Sequence, residues 1–255
     1  GFGVYQIPVE ETDRVVRDAI DVGYRHIDTA WGYFNEAGVG AAVRGCGLPR
    51  DDLFVTTKVW RQGHDLAVES FEASLEQMEL DVLDLLLIHW PAPANDRYLE
   101  TWETFIELRD SGRVRSIGVS NFQPEHIDRI VAATGVVPVL NQIELHPFFQ
   151  QRDLRAYHAE HGILTEAWGP IARGKVADDP LLVTLANAYG CTPAQIALRW
   201  EIQHGIVTIP KSATHDRIVS NFDLFSFTLS EDDMAMIDAL DRPDGRFGPH
   251  PDDMN

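Results

Sequence analysis

Leu83-Asp84-Leu85-Leu86-Leu87-Ile88-His89-Trp90 is a strand-length apolar run that delivers an imidazole, His89, at its end. Two earlier runs do the same with other chemistry. His26-Ile27-Asp28-Thr29-Ala30 carries a carboxylate, and Leu53 to Trp60, closing on Thr57-Lys58-Val59-Trp60, carries an amine. Tyr33 follows the first run by a few residues. In a barrel of parallel strands, side chains at strand C-termini converge on one face, where active sites of that fold sit. A carboxylate, a phenol, an amine and an imidazole gathered there suit proton transfer at a carbonyl, because the carboxylate and amine can tune the phenol.

Outward from these runs the same alternation continues. Strand candidates are Phe2–Tyr5, Arg25–Ala30, Leu53–Trp60, Leu83–Trp90, Ser116–Ser120, Val137–Ile143, Ile163–Trp168 and Ile206–Ile209. Helix-period stretches lie between them: Val16, Ala19 and Ile20, then Val68, Phe71, Leu75 and Met78, then Trp102, Phe105 and Ile106. Thr192-Pro193-Ala194-Gln195 reads as a capped helix start with proline at the first helical position. Ser230 to Asp233 reads as another. Eight βα alternations without a long linker predict an α/β chain, one (β/α)8 TIM barrel in a single domain over residues 1–255. The competing open doubly wound sheet lacks its fingerprint, since Gly1-Phe2-Gly3 has no third glycine and opens no helix. The Pro-, Gly- and Asp-rich tail from Asp241 to Asn255 is expected to cover one end of the barrel.

At 255 residues the chain has the usual length of such a barrel, and its 44% hydrophobic content supplies a full core. No apolar run approaches the roughly 20 residues that span a bilayer. The formal net charge of −19 argues against nucleic acid and against an anionic membrane surface. Cys46 and Cys191 show no pairing pattern and no metal spacing, which points to a reducing cytoplasm. A protein this acidic that binds a phosphate-bearing cofactor must gather its few cations, and Lys211 and Arg217 are the place to look.

Joint order makes the pattern specific. Gly23-Tyr24-Arg25-His26-Ile27-Asp28-Thr29-Ala30 with Tyr33 and Asn35-Glu36 resembles the signature of the aldo-keto reductases. Thr57-Lys58, Ile88-His89-Trp90-Pro91, Gly118-Val119-Ser120-Asn121-Phe122, Asn141-Gln142-Ile143-Glu144-Leu145-His146-Pro147 and Ile209-Pro210-Lys211-Ser212 match that family in order. Glu166-Ala167-Trp168-Gly169-Pro170 and the short tail are most similar to its bacterial diketogluconate reductase branch.

The resemblance implies an NADPH-dependent oxidoreductase that reduces aldehydes, ketones or dicarbonyls, with no metal. Tyr33 would donate the proton, Lys58 would lower its pKa, Asp28 would pair with Lys58, and His89 would orient the carbonyl oxygen. Ser120, Asn121 and Gln142 would hold the nicotinamide carboxamide, and Trp168 would stack on the ring. Gly169, Pro170 and Ile171 open a stretch that would fold over the pyrophosphate. Lys211, Ser212 and Arg217 would hold the 2′-phosphate, and Asn221 the adenine. Ser220, Thr214 and His215 depart from the usual pattern there. Tyr5, Trp31, Trp60 and Trp90 would line the substrate pocket, with the Pro91–Tyr98 loop as a lid. Family members carry a β-hairpin ahead of the first strand, so residues are expected to precede Gly1; a monomer is also implied.

Two other classes compete. A metal-dependent hydrolase would use His26 and Asp28 as strand-borne ligands but would leave Tyr33 and Lys58 idle. A non-catalytic module of the same fold, like the potassium-channel β-subunits, would have no use for the intact quartet.

Overall fold

A computed structural model describes residues 1–60 and 62–254. Asn255, the last residue of the expected tail, lies outside them. Eight strands form one sheet in sequential order, each parallel to the next: β1 Phe2–Gly3, β2 His26–Asp28, β3 Phe54–Val59, β4 Leu83–Ile88, β5 Val114–Ser120, β6 Leu140–Glu144, β7 Leu164–Trp168 and β8 Val207–Thr208. The sheet curls back on itself. Gly3 N–H donates to the Pro210 carbonyl at 3.2 Å, bringing the end of β8 to β1. This is the (β/α)8 barrel, with every strand C-terminus on one rim.

Strand limits differ from the apolar runs for local reasons. β6 begins at Leu140 rather than Val137 because Pro138 has no N–H for a ladder. β1 stops at Gly3 because the chain turns at Gln6, which sits at φ 59°. Inside the barrel, Leu85, Leu87 and Leu140 make a small apolar cluster. Gly118 faces it, and a Cβ there would come within 2.7 Å of the Leu140 carbonyl and 2.8 Å of Leu87.

The helices bury their apolar stripes against the outer face of the sheet. α1 (Val9–Val22) uses Val16, Ala19 and Ile20, and α4 (Tyr98–Asp110) uses Trp102 and Phe105. In α3 (His64–Met78) the stripe runs through Ala67, Phe71, Leu75 and Met78, with Val68 only half-buried. Each large side chain so buried contributes about 1.5–3 kcal/mol relative to exposure. α8 (Pro193–Gln203) starts with the expected reciprocal cap: Gln195 N–H donates to Thr192 Oγ1, and Thr192 N–H donates to Gln195 Oε1. α10 (Glu231–Asp238) starts in the same manner at Ser230. Between these, α2 (Glu36–Gly45), α5 (Pro124–Thr134), α6 (Arg152–His161), α7 (Pro180–Tyr189) and α9 (His215–Phe222) complete the outer layer. Among the described residues no single helix is long and apolar enough to cross a membrane. α7 and α8 reach that composition only as a pair bent by 88°, and their apolar residues pack into the core.

The tail does cover the strand-end rim. Glu144, the last residue of β6, accepts the Phe247 N–H at 2.6 Å and the Gly248 N–H at 2.8 Å. That seats Gly248 against the Trp168 ring.

Candidate active site

Strand ends bring the four sequence-selected residues together. Asp28 ends β2, Lys58 is the penultimate residue of β3, and His89 follows β4 directly. Tyr33 closes a single 3-10 turn, Trp31–Tyr33, whose next residue Phe34 is left-handed at φ 59°. Lys58 is fully buried; its Nζ donates to Asp28 Oδ1 at 2.6 Å and to the Thr29 carbonyl at 2.8 Å. The same Nζ lies 5.2 Å from the Tyr33 ring centre, and the His89 ring meets Tyr33 edge-on at 5.7 Å.

Electrostatics assign Lys58, His89 and Tyr33 their protonation states. Burial works against the Lys58 ammonium, but Asp28, with smaller help from Tyr33 and Glu166, outweighs it and holds the pKa above its ordinary value. Burial, helped by the Lys58 charge, drives His89 well below the usual histidine range, so its imidazole is neutral. Its Nδ1 is buried without a hydrogen-bond partner. Tyr33 corrects one expectation. Lys58 does pull the phenol down, yet burial is the larger effect and pushes it up to about 12. Without a bound cofactor the phenol is therefore fully protonated at neutral pH rather than tuned toward it.

A hydrogen-bond chain joins this quartet to the next group of predicted residues. Asn121, at φ 63°, donates from Nδ2 to the His89 carbonyl and to Ser120 Oγ, each at 3.0 Å. Trp168 Nε1 donates to Asn121 Oδ1 at 2.8 Å, and Ser120 Oγ donates to the Gln142 carbonyl at 2.8 Å. Gln142 Nε2 donates to Asp28 Oδ2 at 2.8 Å and to Glu166 Oε1 at 2.5 Å. Burial and Asp28 push the Glu166 carboxyl up to about 7.

After β7 the backbone at Gly169, Ala172, Arg173 and Gly174 is left-handed, with φ between 51° and 90°. Such conformations cost about 1–3 kcal/mol each for non-glycine residues and cluster at ligand clamps. Pro170 and Ile171 lie within this stretch, and Gly169 has open space above its Cα. The neighbouring strand β8 leads to Lys211, Ser212 and then α9, where Arg217 lies in the first turn. Lys211 and Arg217 are exposed, and among the described residues neither makes an ion pair. The chain has 40 acids, and its three lysines, 58, 175 and 211, all lie near or beyond strand ends on this rim. His215 is engaged with Asp18 at 2.5 Å, so it is not a free cation. Asn221 is buried, with no side-chain hydrogen bond among the described residues. Two unpaired cations, a hydroxyl and a left-handed loop make a donor set that fits a phosphorylated dinucleotide.

The pocket residues divide. A cavity of about 360 Å³ is walled by Trp60 and Trp90, together with Gln62, Asn95, Arg97 and Met254, and the Trp60 ring meets His89 edge-on at 5.2 Å. Tyr5 and Trp31 are not in its wall. Tyr5 is 57% exposed and leans on the Tyr33 ring at 4.9 Å, while Trp31 packs on Phe34 at 6.1 Å. The cavity is also more polar than aromatic walls alone suggest, although Arg97 is held by Glu100 at 2.9 Å. Asn95 belongs to the Pro91–Tyr98 loop expected as a lid, but sequence reasoning missed Gln62 and Met254 and the structural carboxylates Glu144 and Glu166. For Glu166 a signal existed, an acid inside the Ile163–Trp168 strand candidate, whereas Glu144 falls just past the Val137–Ile143 one.

His26, Asp28 and Glu166 also stand close enough to hold a cation. Asp28 is already taken by the Lys58 ammonium, which disfavours a second cation there.

Comparison with known proteins is consistent with this geometry. The Aldo/keto reductase family model matches residues 1–242. Methylglyoxal reductase DkgA of Escherichia coli K12 is 48% identical over 254 residues, covering 99% of this chain and 92% of that protein. The crystal structure of a Gox0644 mutant in complex with NADPH superposes with a TM-score of 0.96 at 47% identity, covering 100% and 93% of the two chains. A putative 2,5-diketo-D-gluconic acid reductase B superposes with a TM-score of 0.94 at 37% identity, covering 98% and 89%.

Proposed function

This chain belongs to the aldo/keto reductase family, and we propose that it reduces small carbonyl compounds to alcohols with Tyr33 as the proton donor. It is an NADPH-dependent enzyme of that family. The observation that carries the assignment of Tyr33 is the buried Asp28–Lys58 pair at 2.6 Å, with its ammonium beside the phenol. When bound, the reduced nicotinamide supplies the hydride; the chain's own residues handle the oxygen and its proton.

As negative charge grows on the carbonyl oxygen, the Tyr33 hydroxyl gives up its proton to it. Lys58 stabilises the phenolate left behind, which matters because burial alone makes that anion costly. Asp28 keeps the ammonium charged and in place. His89, neutral and edge-on to Tyr33, can donate a second hydrogen bond to the same oxygen, as one arm of an oxyanion site. Ser120, Asn121 and Gln142 would hold the carboxamide, with Trp168 stacked on the ring. Lys211, Ser212 and Arg217 would take the 2′-phosphate, and Asn221 would reach the adenine. Trp60 and Trp90 would bound the substrate, and Tyr5 and Trp31 would form an outer rim rather than a wall.

The preferred substrates are small aldehydes and dicarbonyls such as methylglyoxal, in line with the name of the Escherichia coli relative. A monomeric protein of a reducing cytoplasm belongs to the same reading, which Cys46 and Cys191 as free thiols support. NADPH consumption against a panel of aldehydes, dicarbonyls, keto-sugars and quinones, ranked by kcat/KM, tests it. Turnover of none of them would remove the proposal.

A further inference from the structure

Glu166 lies at the centre of the barrel and has no role in the chemistry just described. It is fully buried, its Oε2 has no hydrogen-bond partner, and its nearest cationic candidate, His26 Nδ1, is 3.8 Å away. Burial holds His26 well below its ordinary pKa, so that ring is neutral and offers no ion pair. A buried carboxyl with one oxygen unpartnered costs stability. The short contact it does make is the 2.5 Å bond from Gln142 Nε2.

We infer that Glu166 is a positioning residue for the cofactor, fixing the amide of Gln142 so that its Oε1 is left as a hydrogen-bond acceptor. A primary amide has two N–H donors. Gln142 spends one on Asp28 Oδ2 and the other on Glu166 Oε1. The planar group then holds Oε1 away from both carboxylates, and no described residue donates to it. Turning the amide over would set Oε1 against the Asp28 carboxylate oxygen in a buried site. Asp28 alone would hold one donor, but its charge is shared with Lys58. Glu166 adds the second point that defines the amide plane. The ligand chemistry this selects is an N–H donor such as a nicotinamide carboxamide, so the inference rests on the cofactor reading above.

The test measures dissociation constants of NADPH and of adenosine 2′,5′-bisphosphate, which lacks the nicotinamide, for the wild type, Glu166→Leu and Glu166→Gln. One neutral hydrogen bond corresponds to about 2- to 10-fold in affinity. Glu166→Leu should weaken NADPH by that factor, leave the bisphosphate unchanged, and keep or raise the melting temperature. Glu166→Ala serves in its place if leucine does not fit the barrel. Glu166→Gln keeps a carbonyl acceptor and should stay within about twofold of the wild type. Equal losses for both ligands, or lowered stability with them, would reduce Glu166 to a structural residue and overturn the inference. Unchanged NADPH affinity in Glu166→Leu overturns it while leaving the cofactor reading intact. A wild type that binds the bisphosphate but not NADPH overturns both.

Discussion

Replacing Lys58 by methionine separates the electrostatic account of this site from a purely steric one. The side chain is fully buried, so methionine approximately fills its volume, and what is lost is the ammonium. Asp28, 2% exposed, then keeps one described partner of its two, the Gln142 amide. Removing one member of a buried ion pair costs about 3–5 kcal/mol, mostly as the penalty on the stranded charge. Adding Asp28→Asn to Lys58→Met removes that charge and should recover a large part of the loss. Denaturant unfolding of the wild type, both single variants and the double variant measures this as a shift in midpoint at constant slope. Carbonyl reduction should fall by at least about 10²-fold in Lys58→Met, because nothing remains to stabilise the Tyr33 phenolate. A Lys58→Met protein within about 1 kcal/mol of wild type, well under the cost of a broken buried pair, or one retaining a tenth of its turnover, would refute the reasoning.

Other expectations follow from the same geometry. Arg217→Ala should weaken NADPH by roughly 10- to 150-fold, the equivalent of about 1.5–3 kcal/mol for a charged hydrogen bond, and change NADH little; fluorescence titration of both cofactors decides it, and equal losses would take Arg217 out of the phosphate site. The cofactor-free protein should show no ionisation of Tyr33 below about pH 10, the ordinary value for a tyrosine, since its folded pKa is raised to about 12. The folded state then holds a proton that the unfolded state has lost, so this group's stabilisation is present below about pH 10 and is lost as pH rises toward about 12. A near-ultraviolet pH titration of wild type minus Tyr33→Phe checks this, and a transition near neutrality would contradict it. Glu144→Ala should free the tail around Phe247 and Gly248, seen as faster amide exchange there and a raised KM through loss of the Met254 wall; unchanged exchange would show the tail is held by other contacts.

Much of this was legible in the residues because barrel strands are short and uninterrupted, as Leu83–Ile88 illustrates, and because the reacting groups come directly from their ends. Lys58 and His89 had nowhere else to point once the strands closed. Where the Tyr5 and Trp31 rings fall relative to the Trp60–Trp90 cavity was less legible, for the opposite reason. Both lie just beyond strands, where a turn at Gln6 and a 3-10 turn at Trp31–Tyr33 decide where each ring falls, and aromatic character does not encode that. Met254 reaches the Trp60–Trp90 cavity from the far end of the chain, a contact no local pattern could announce. The direction of the Tyr33 shift was misread because sequence names the charges near a group but not the depth of its burial. Glu166 was visible as an acid inside a strand candidate, but the Gln142 amide that meets it, and the Phe247 and Gly248 N–H groups that meet Glu144 beside His146, appear only when the chain is assembled.

The claim on which the rest depends is that Tyr33 supplies the proton. Tyr33→Phe removes the hydroxyl and keeps the ring that packs on Tyr5 and His89, so the fold and the NADPH dissociation constant should stay near wild type. Measured with a carbonyl substrate that the wild type reduces, kcat should fall by about 10²–10⁴-fold or more. Retention of more than about a tenth of wild-type kcat, with NADPH binding intact, would contradict the account.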